Sequence, residues 1–164
     1  MKLFVIIFGL NLSLLSVLAR ADKPANEFTQ KGKTMTARGT FEVKITQQPQ
    51  DDSAGGPFSR LFLDKQFQGD LKATSKGQMM AAGTAVEGSG AYVALELVNG
   101  SLNGKQGSFI LQHKGTMRQG EYSLSVTVVP DSGTGELTGI TGDMKIIIEG
   151  GKHSYEFEYS LSGK

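Results

Sequence analysis

Met144-Lys145-Ile146-Ile147-Ile148-Glu149-Gly150-Gly151-Lys152-His153-Ser154-Tyr155-Glu156-Phe157-Glu158-Tyr159 is the stretch whose reading decides the fold. Gly150-Gly151 is a two-residue turn signal between two alternating runs, the pattern of a β-hairpin. With that turn, Met144, Ile146, Ile148, Tyr155, Phe157 and Tyr159 share one face. Lys145, Glu149, Ser154, Glu156 and Glu158 share the other, with Ile147 as the one misfit. An apolar period of two describes a strand with one face in a core, and no helical stripe of useful length occurs in the chain.

Two more turn signals extend the register upstream. An Asn103-Gly104 turn pairs Leu102 with Lys105, and so sets Val98 against Phe109, Glu96 against Leu111 and Ala94 against His113. A Gln119-Gly120 turn then sets Leu111 against Val128, His113 against Val126 and Met117 against Tyr122. The inward face collects Val98, Phe109, Leu111, Tyr122, Leu124, Val126 and Val128. The outward face collects Ile110, Gln112, Ser123, Ser125 and Thr127. Val93, Leu95 and Leu97 resist this sorting, because they are opposite in parity to Glu96. Either a second subunit covers their side of the strand, or a bulge shifts the register.

The rest of the chain follows the same rhythm. Phe41, Val43 and Ile45 alternate with polar residues, and Gln48 to Pro57 reads as a long loop. Phe58 to Ser75 reads as one strand bent at Gly69 or as two short ones. Lys76-Gly77 and Gly88-Ser89-Gly90 are further turn signals. The 22 glycines are thus explained largely by hairpin turns. About eight or nine strands result, which suits an all-β sandwich or barrel in one domain, here residues 36–164. No repeat of fixed period and no second domain boundary appear.

The N-terminal segment has another purpose. Met1-Lys2, the apolar run Leu3 to Leu18 and the small residues of Ala19-Arg20-Ala21 form a secretory signal peptide with its cleavage site. The apolar run is short for a membrane span. The expectation is an exported protein, periplasmic or extracellular, with no membrane anchor after cleavage and a flexible leader over residues 22–35. Lys2 and Arg20 leave with the signal, so the formal charge of +1 becomes about −1. Neither value favours a nucleic-acid partner. The chain has no Cys, which excludes a disulfide framework, a thiol nucleophile and thiolate metal sites.

Candidate chemistry rests on parity. Glu96, His113, His153, Tyr92, Tyr122, Tyr155 and Tyr159 all point inward among aliphatic residues, with Glu96 diagonal to His113. A buried Glu–His pair is a general acid–base couple if burial and charge draw both groups toward neutrality. It is equally a polar anchor in an apolar ligand cavity, or a structural hydrogen bond. His153 follows a turn and reads as a solvated loop-end residue. Met79-Met80 reads as core filler. Asp131-Ser132-Gly133-Thr134-Gly135-Glu136 resembles a phosphate or calcium loop only superficially, because it lacks the P-loop Lys and opens no helix. Asn99-Gly100-Ser101 fits a short glycosylation sequon. Two histidines on different hairpins do not form a metal site, and no cofactor is indicated.

Gly39-Thr40-Phe41-Glu42-Val43, Phe67-Gln68-Gly69-Asp70-Leu71, Gly107-Ser108-Phe109 with Leu111-Gln112-His113, and Val129 to Leu137 with Gly139 occur in that order. Together they resemble a bacterial family known as a domain of unknown function, over nearly all of residues 36–161. The resemblance implies an allene oxide cyclase-like barrel, closed by eight antiparallel strands and distantly like the dirigent proteins. It implies no activity and no catalytic residue. Glu96, Gln112 and His113 match the family pattern at their positions, which adds Gln112 to the ligand-binding candidates Glu96, His113, Tyr92, Tyr122, Tyr155 and Tyr159.

Three functions stand open. The leading expectation is an exported barrel that binds an apolar or amphipathic small molecule. A cofactor-free isomerase or cyclase would use the same pocket, with Glu96 or His113 moving a proton. A structural protein would use Val93, Leu95 and Leu97 to form a homo-oligomer.

Overall fold

Each alternating segment leaves one apolar side that must be taken out of water, and a sheet rolled on itself does this with no free edge. In the computed structural model, which describes residues 33–49 and 55–162, eight antiparallel strands close into a barrel in sequence order. They are β1 (Met35–Gln47), β2 (Phe58–Gly69), β3 (Leu71–Gly83), β4 (Gly90–Leu102), β5 (Lys105–Arg118), β6 (Glu121–Val128), β7 (Ile140–Glu149) and β8 (Lys152–Leu161). β8 returns to β1, with Tyr155 opposite Gly39. The expected signal peptide, and all but the end of the expected leader, lie outside the described residues. β1 starts at Met35, the last residue assigned to that leader.

The three hairpin registers stand as the turns dictate: Leu102 faces Lys105, Leu111 faces Val128 and Glu149 faces Lys152. Both central residues of each turn have positive φ (48° and 83° at Asn103-Gly104), the backbone of type I′ hairpins. The β4–β5 pairing runs without a bulge from Gly90 to Leu102. Val93, Leu95 and Leu97 therefore do point outward, 55%, 57% and 51% exposed.

Two turn readings are corrected. Gly69 is not a bend within one strand. It ends β2, and with Asp70 forms the turn into β3, so two long strands replace the one bent or two short strands expected. Lys76-Gly77 is not a turn but the middle of β3, with Gly77 opposite Glu96. A Cβ there would lie 2.7 Å from the Leu95 carbonyl oxygen and 3.1 Å from Glu96 Cα, so this glycine is required by close approach of the neighbouring strand. Met79-Met80 also divides: Met79 points inward, while Met80 is exposed on the outer wall.

The barrel has two unlike halves. At the end holding the Gly69-Asp70 and Asn103-Gly104 turns, Leu71, Leu102, Phe109, Phe157 and Tyr159 fill the interior, and Phe157 stacks between Phe109 and Tyr159 at 5.7 and 5.3 Å. Leu137, in a short 3-10 turn (Gly135–Leu137), plugs this end. The segment Ser132 to Glu136 lies along β5 and braces it. Its alternate side chains stand where a strand would pair with β5: Ser132 Oγ accepts the Ile110 N–H, Thr134 Oγ1 that of Ser108 and Glu136 Oε2 that of Gln106, at 2.8–3.0 Å. These side chains supply acceptors to β5 N–H groups that no neighbouring strand pairs. Past this segment, β6 and β7 share a single registered pair, Thr127 opposite Asp143.

Candidate functional site

In the other half of the barrel, small and aliphatic side chains leave space. A cavity of about 670 Å³ lies there, walled by Val43, Leu63, Met79, Ala81, Leu124 and Ile146 among others. Gly115 makes room on one side for the Tyr92 ring, which lies across the glycine so closely that a Cβ would overlap it. Tyr122 also lines the cavity and shares a hydroxyl–hydroxyl hydrogen bond of 2.9 Å with Tyr92. Burial first, then the hydrogen bond and charge of Tyr122 and the charge of Glu96, push the Tyr92 phenol above its ordinary pKa, so it stays protonated. His153 is not a freely solvated loop-end residue. It is half-buried at the cavity, with its ring centre 5.1 Å from that of Phe41.

The polar groups lie between the cavity and the packed half. Lys65 and Ser75 face one another across β2 and β3, Gly77 faces Glu96 across β3 and β4, and Ala94 faces His113 across β4 and β5. This slants one polar layer across four strands. Lys65 Nζ donates to Glu96 Oε2 at 2.7 Å, and the Ser75 hydroxyl donates to Glu96 Oε1. His113 Nε2 is 2.8 Å from Glu96 Oε2, yet its N–H is not aimed at that oxygen and is left without a directed partner. Glu96 is fully buried; Lys65 and His113 are 5% and 3% exposed, and both line the cavity. Lys65 Nζ also sits 5.0 Å from the Phe41 ring centre and 5.7 Å from that of Phe67, within cation–π range.

Electrostatics follow from this crowding. Burial alone would raise the Glu96 pKa, but His113, Lys65 and Ser75 together outweigh it and hold the carboxyl at about 2, against an ordinary 4.5. The expected drift of Glu96 toward neutrality is therefore reversed. It is a fixed negative charge that neutralises and positions its donors.

Of the sequence candidates, the structure brings together Glu96, His113 and Tyr92, with Tyr122, expected inward, 56% exposed at the cavity mouth. It sets three apart. Tyr155 and Tyr159 are inward, as parity requires, but lie in the packed half. The Tyr155 hydroxyl accepts the Leu71 N–H at 2.9 Å and donates to the Gln68 carbonyl at 3.2 Å. Burial raises its pKa, the Leu71 N–H opposes the rise, and the Asp70 charge adds to it. The Tyr159 hydroxyl accepts from Asn103 Nδ2 at 2.9 Å. Gln112 is exposed on the outer wall, opposite Leu95. Lys65 and Ser75 were missed. The signal for Lys65 was present, a lysine at the inward parity of Leu63 and Phe67.

Among the described residues, no group of three or more His, Cys, Asp or Glu side chains could hold a metal ion, and no helix is long and apolar enough to cross a membrane.

The family model described as "Protein of unknown function (DUF3224)" matches residues 37–159, which include the whole polar layer and most of the barrel. The chain belongs to the DUF3224 family. A crystal structure of a DUF3224 protein of unknown function from Shewanella oneidensis MR-1 is similar to it at 46% identity, over 80% of this chain and 100% of that one, with a TM-score of 0.74. No curated protein matches the sequence. The DUF3224 match thus assigns the family and leaves the function to be argued from the site.

Proposed function

We propose that this DUF3224 protein is an exported binding barrel that holds one apolar or amphipathic small molecule. The observation that carries the reading is the cavity of about 670 Å³, with apolar walls and a few convergent polar groups, the usual composition of a small-molecule site. Export is supported by the signal-peptide pattern of Met1 to Ala21. Binding is better supported than isomerisation, which rests only on the allene oxide cyclase-like barrel that the sequence resemblance implies. A carboxylate held at about 2 is a weak proton acceptor near neutral pH, so Glu96 makes a poor general base.

Native mass spectrometry of the protein purified from its own host tests the reading. The expected spectrum shows a co-purifying small molecule, lost when Val43→Trp fills the cavity. The reading falls if no small molecule travels with the protein and an apolar fluorescent dye fails to bind it.

One observation favours a second, compatible reading, self-association. The outer wall of β2 to β5 carries Phe62, Met80, Val93, Leu95 and Leu97, all about half exposed, around a hollow of about 1100 Å³. Contiguous apolar surface of this kind commonly marks an interface, and closed homo-oligomers are the commonest assemblies. Sedimentation should show an oligomer that Leu95→Glu dissociates. A monomer at all concentrations would remove this reading.

A further inference from the structure

We infer that the bound molecule carries an acceptor head, a carboxylate, seated on Lys65 and His113 with its apolar body toward the open end. The inference rests on the binding reading above and adds the head-group chemistry. Three observations carry it.

First, the polar layer offers the cavity donors while its one carboxylate is spent. Glu96 is fully buried and engaged by Lys65, Ser75 and His113, and it does not line the cavity. A cationic head brings only N–H donors to a layer that itself presents donors to the cavity, and so finds no acceptor there. Second, Lys65 lines the cavity and uses one of its N–H groups on Glu96, so an ammonium with three donors has others to give. Third, His113 lines the cavity, and its buried Nε2, although 2.8 Å from Glu96 Oε2, is poorly aimed at that oxygen. A small ring rotation turns that N–H from Glu96 Oε2 toward an incoming oxygen, an acceptor that an apolar head cannot supply. Lys65 and His113 flank the same oxygen, Glu96 Oε2, at 2.7 and 2.8 Å, so the two donors are close enough to serve one planar head group.

Decanoate, decanol and decylamine, matched in apolar chain, separate head from tail. Calorimetric titration into the wild-type protein should rank them in that order, with decanoate at least about tenfold tighter than decylamine. The doubly substituted Lys65→Met/Glu96→Gln protein keeps the layer free of unpaired charge, and circular dichroism shows whether it folds. It should bind decanol as the wild type does and lose the preference for decanoate. Single Lys65→Arg keeps the cation and should keep the ranking. Decylamine binding as tightly as decanoate would overturn the inference while leaving the binding reading intact. So would a preference for decanoate that survives the double substitution. Failure of all three probes to bind would overturn both.

Discussion

Lys65 and Glu96 form an ion pair of 2.7 Å inside the barrel wall, one residue 5% exposed and the other not at all. Neither charge has water to fall back on, so each depends on the other. This makes the pair a sensitive reporter of the whole polar layer.

Removing one partner should cost far more than removing both. Glu96→Gln strands the Lys65 ammonium, and Lys65→Met leaves Glu96 with His113 and Ser75 only. Each should destabilise the fold by about 3 to 5 kcal/mol. The double substitution should cost clearly less than their sum, because no unpaired charge is left. Urea denaturation of the four proteins gives the cycle, and additive losses would show that the pair is not coupled.

Acid should find the same weakness. The folded-state pKa of Glu96 lies below its ordinary value, so its contribution is present in full above about pH 4.5 and is lost as pH falls through about 2. The gap corresponds to roughly 3 kcal/mol. The urea midpoint of the wild-type protein should fall across this window, and Glu96→Gln should flatten the fall. Equal slopes in the two proteins would contradict the assignment to Glu96.

Gly77→Ala should be damaging although the residue lies in regular strand. The added Cβ meets the Leu95 carbonyl oxygen at 2.7 Å and displaces Glu96, an overpacking cost of about 1 to 3 kcal/mol. Gly83→Ala, where a Cβ meets nothing within 4 Å, is the control and should change stability by less than about 0.5 kcal/mol. Thermal melts of the two variants make the comparison.

Tyr155→Phe separates stability from binding. It removes the acceptor of the buried Leu71 N–H, which should cost about 1 to 3 kcal/mol. Affinity for a small apolar probe should not change, because Tyr155 lies in the packed half. A drop in probe affinity without loss of stability would return Tyr155 to the site.

The sequence made the later half of the barrel legible, because Asn103-Gly104, Gln119-Gly120 and Gly150-Gly151 are turns whose backbone demands leave few alternatives. The approach of Glu96 to His113 follows from that register alone. Lys65 was hidden because Gly69-Asp70 carries no such two-residue signature and Gly77 mimics a turn. With β2 and β3 misjudged, the strand carrying Lys65 had no register. Tyr155 and Tyr159 show a different limit. Parity reports whether a side chain points inward, but not its height along a barrel whose strands are tilted and staggered. Both tyrosines are inward, and both lie in the packed half, away from the cavity.

The single registered pair between β6 and β7 bears on how the barrel accommodates a guest. Elsewhere, widening the wall would break several ladder hydrogen bonds together, and such openings are rare. Tyr122 and Leu124 of β6 and Ile146 and Ile148 of β7 all line the cavity, and no registered pair joins them. The closed ring is therefore registered at one point on that side, like a clasp. On the binding reading, the girth of the open end would adjust along this seam, while the filled half would keep its shape.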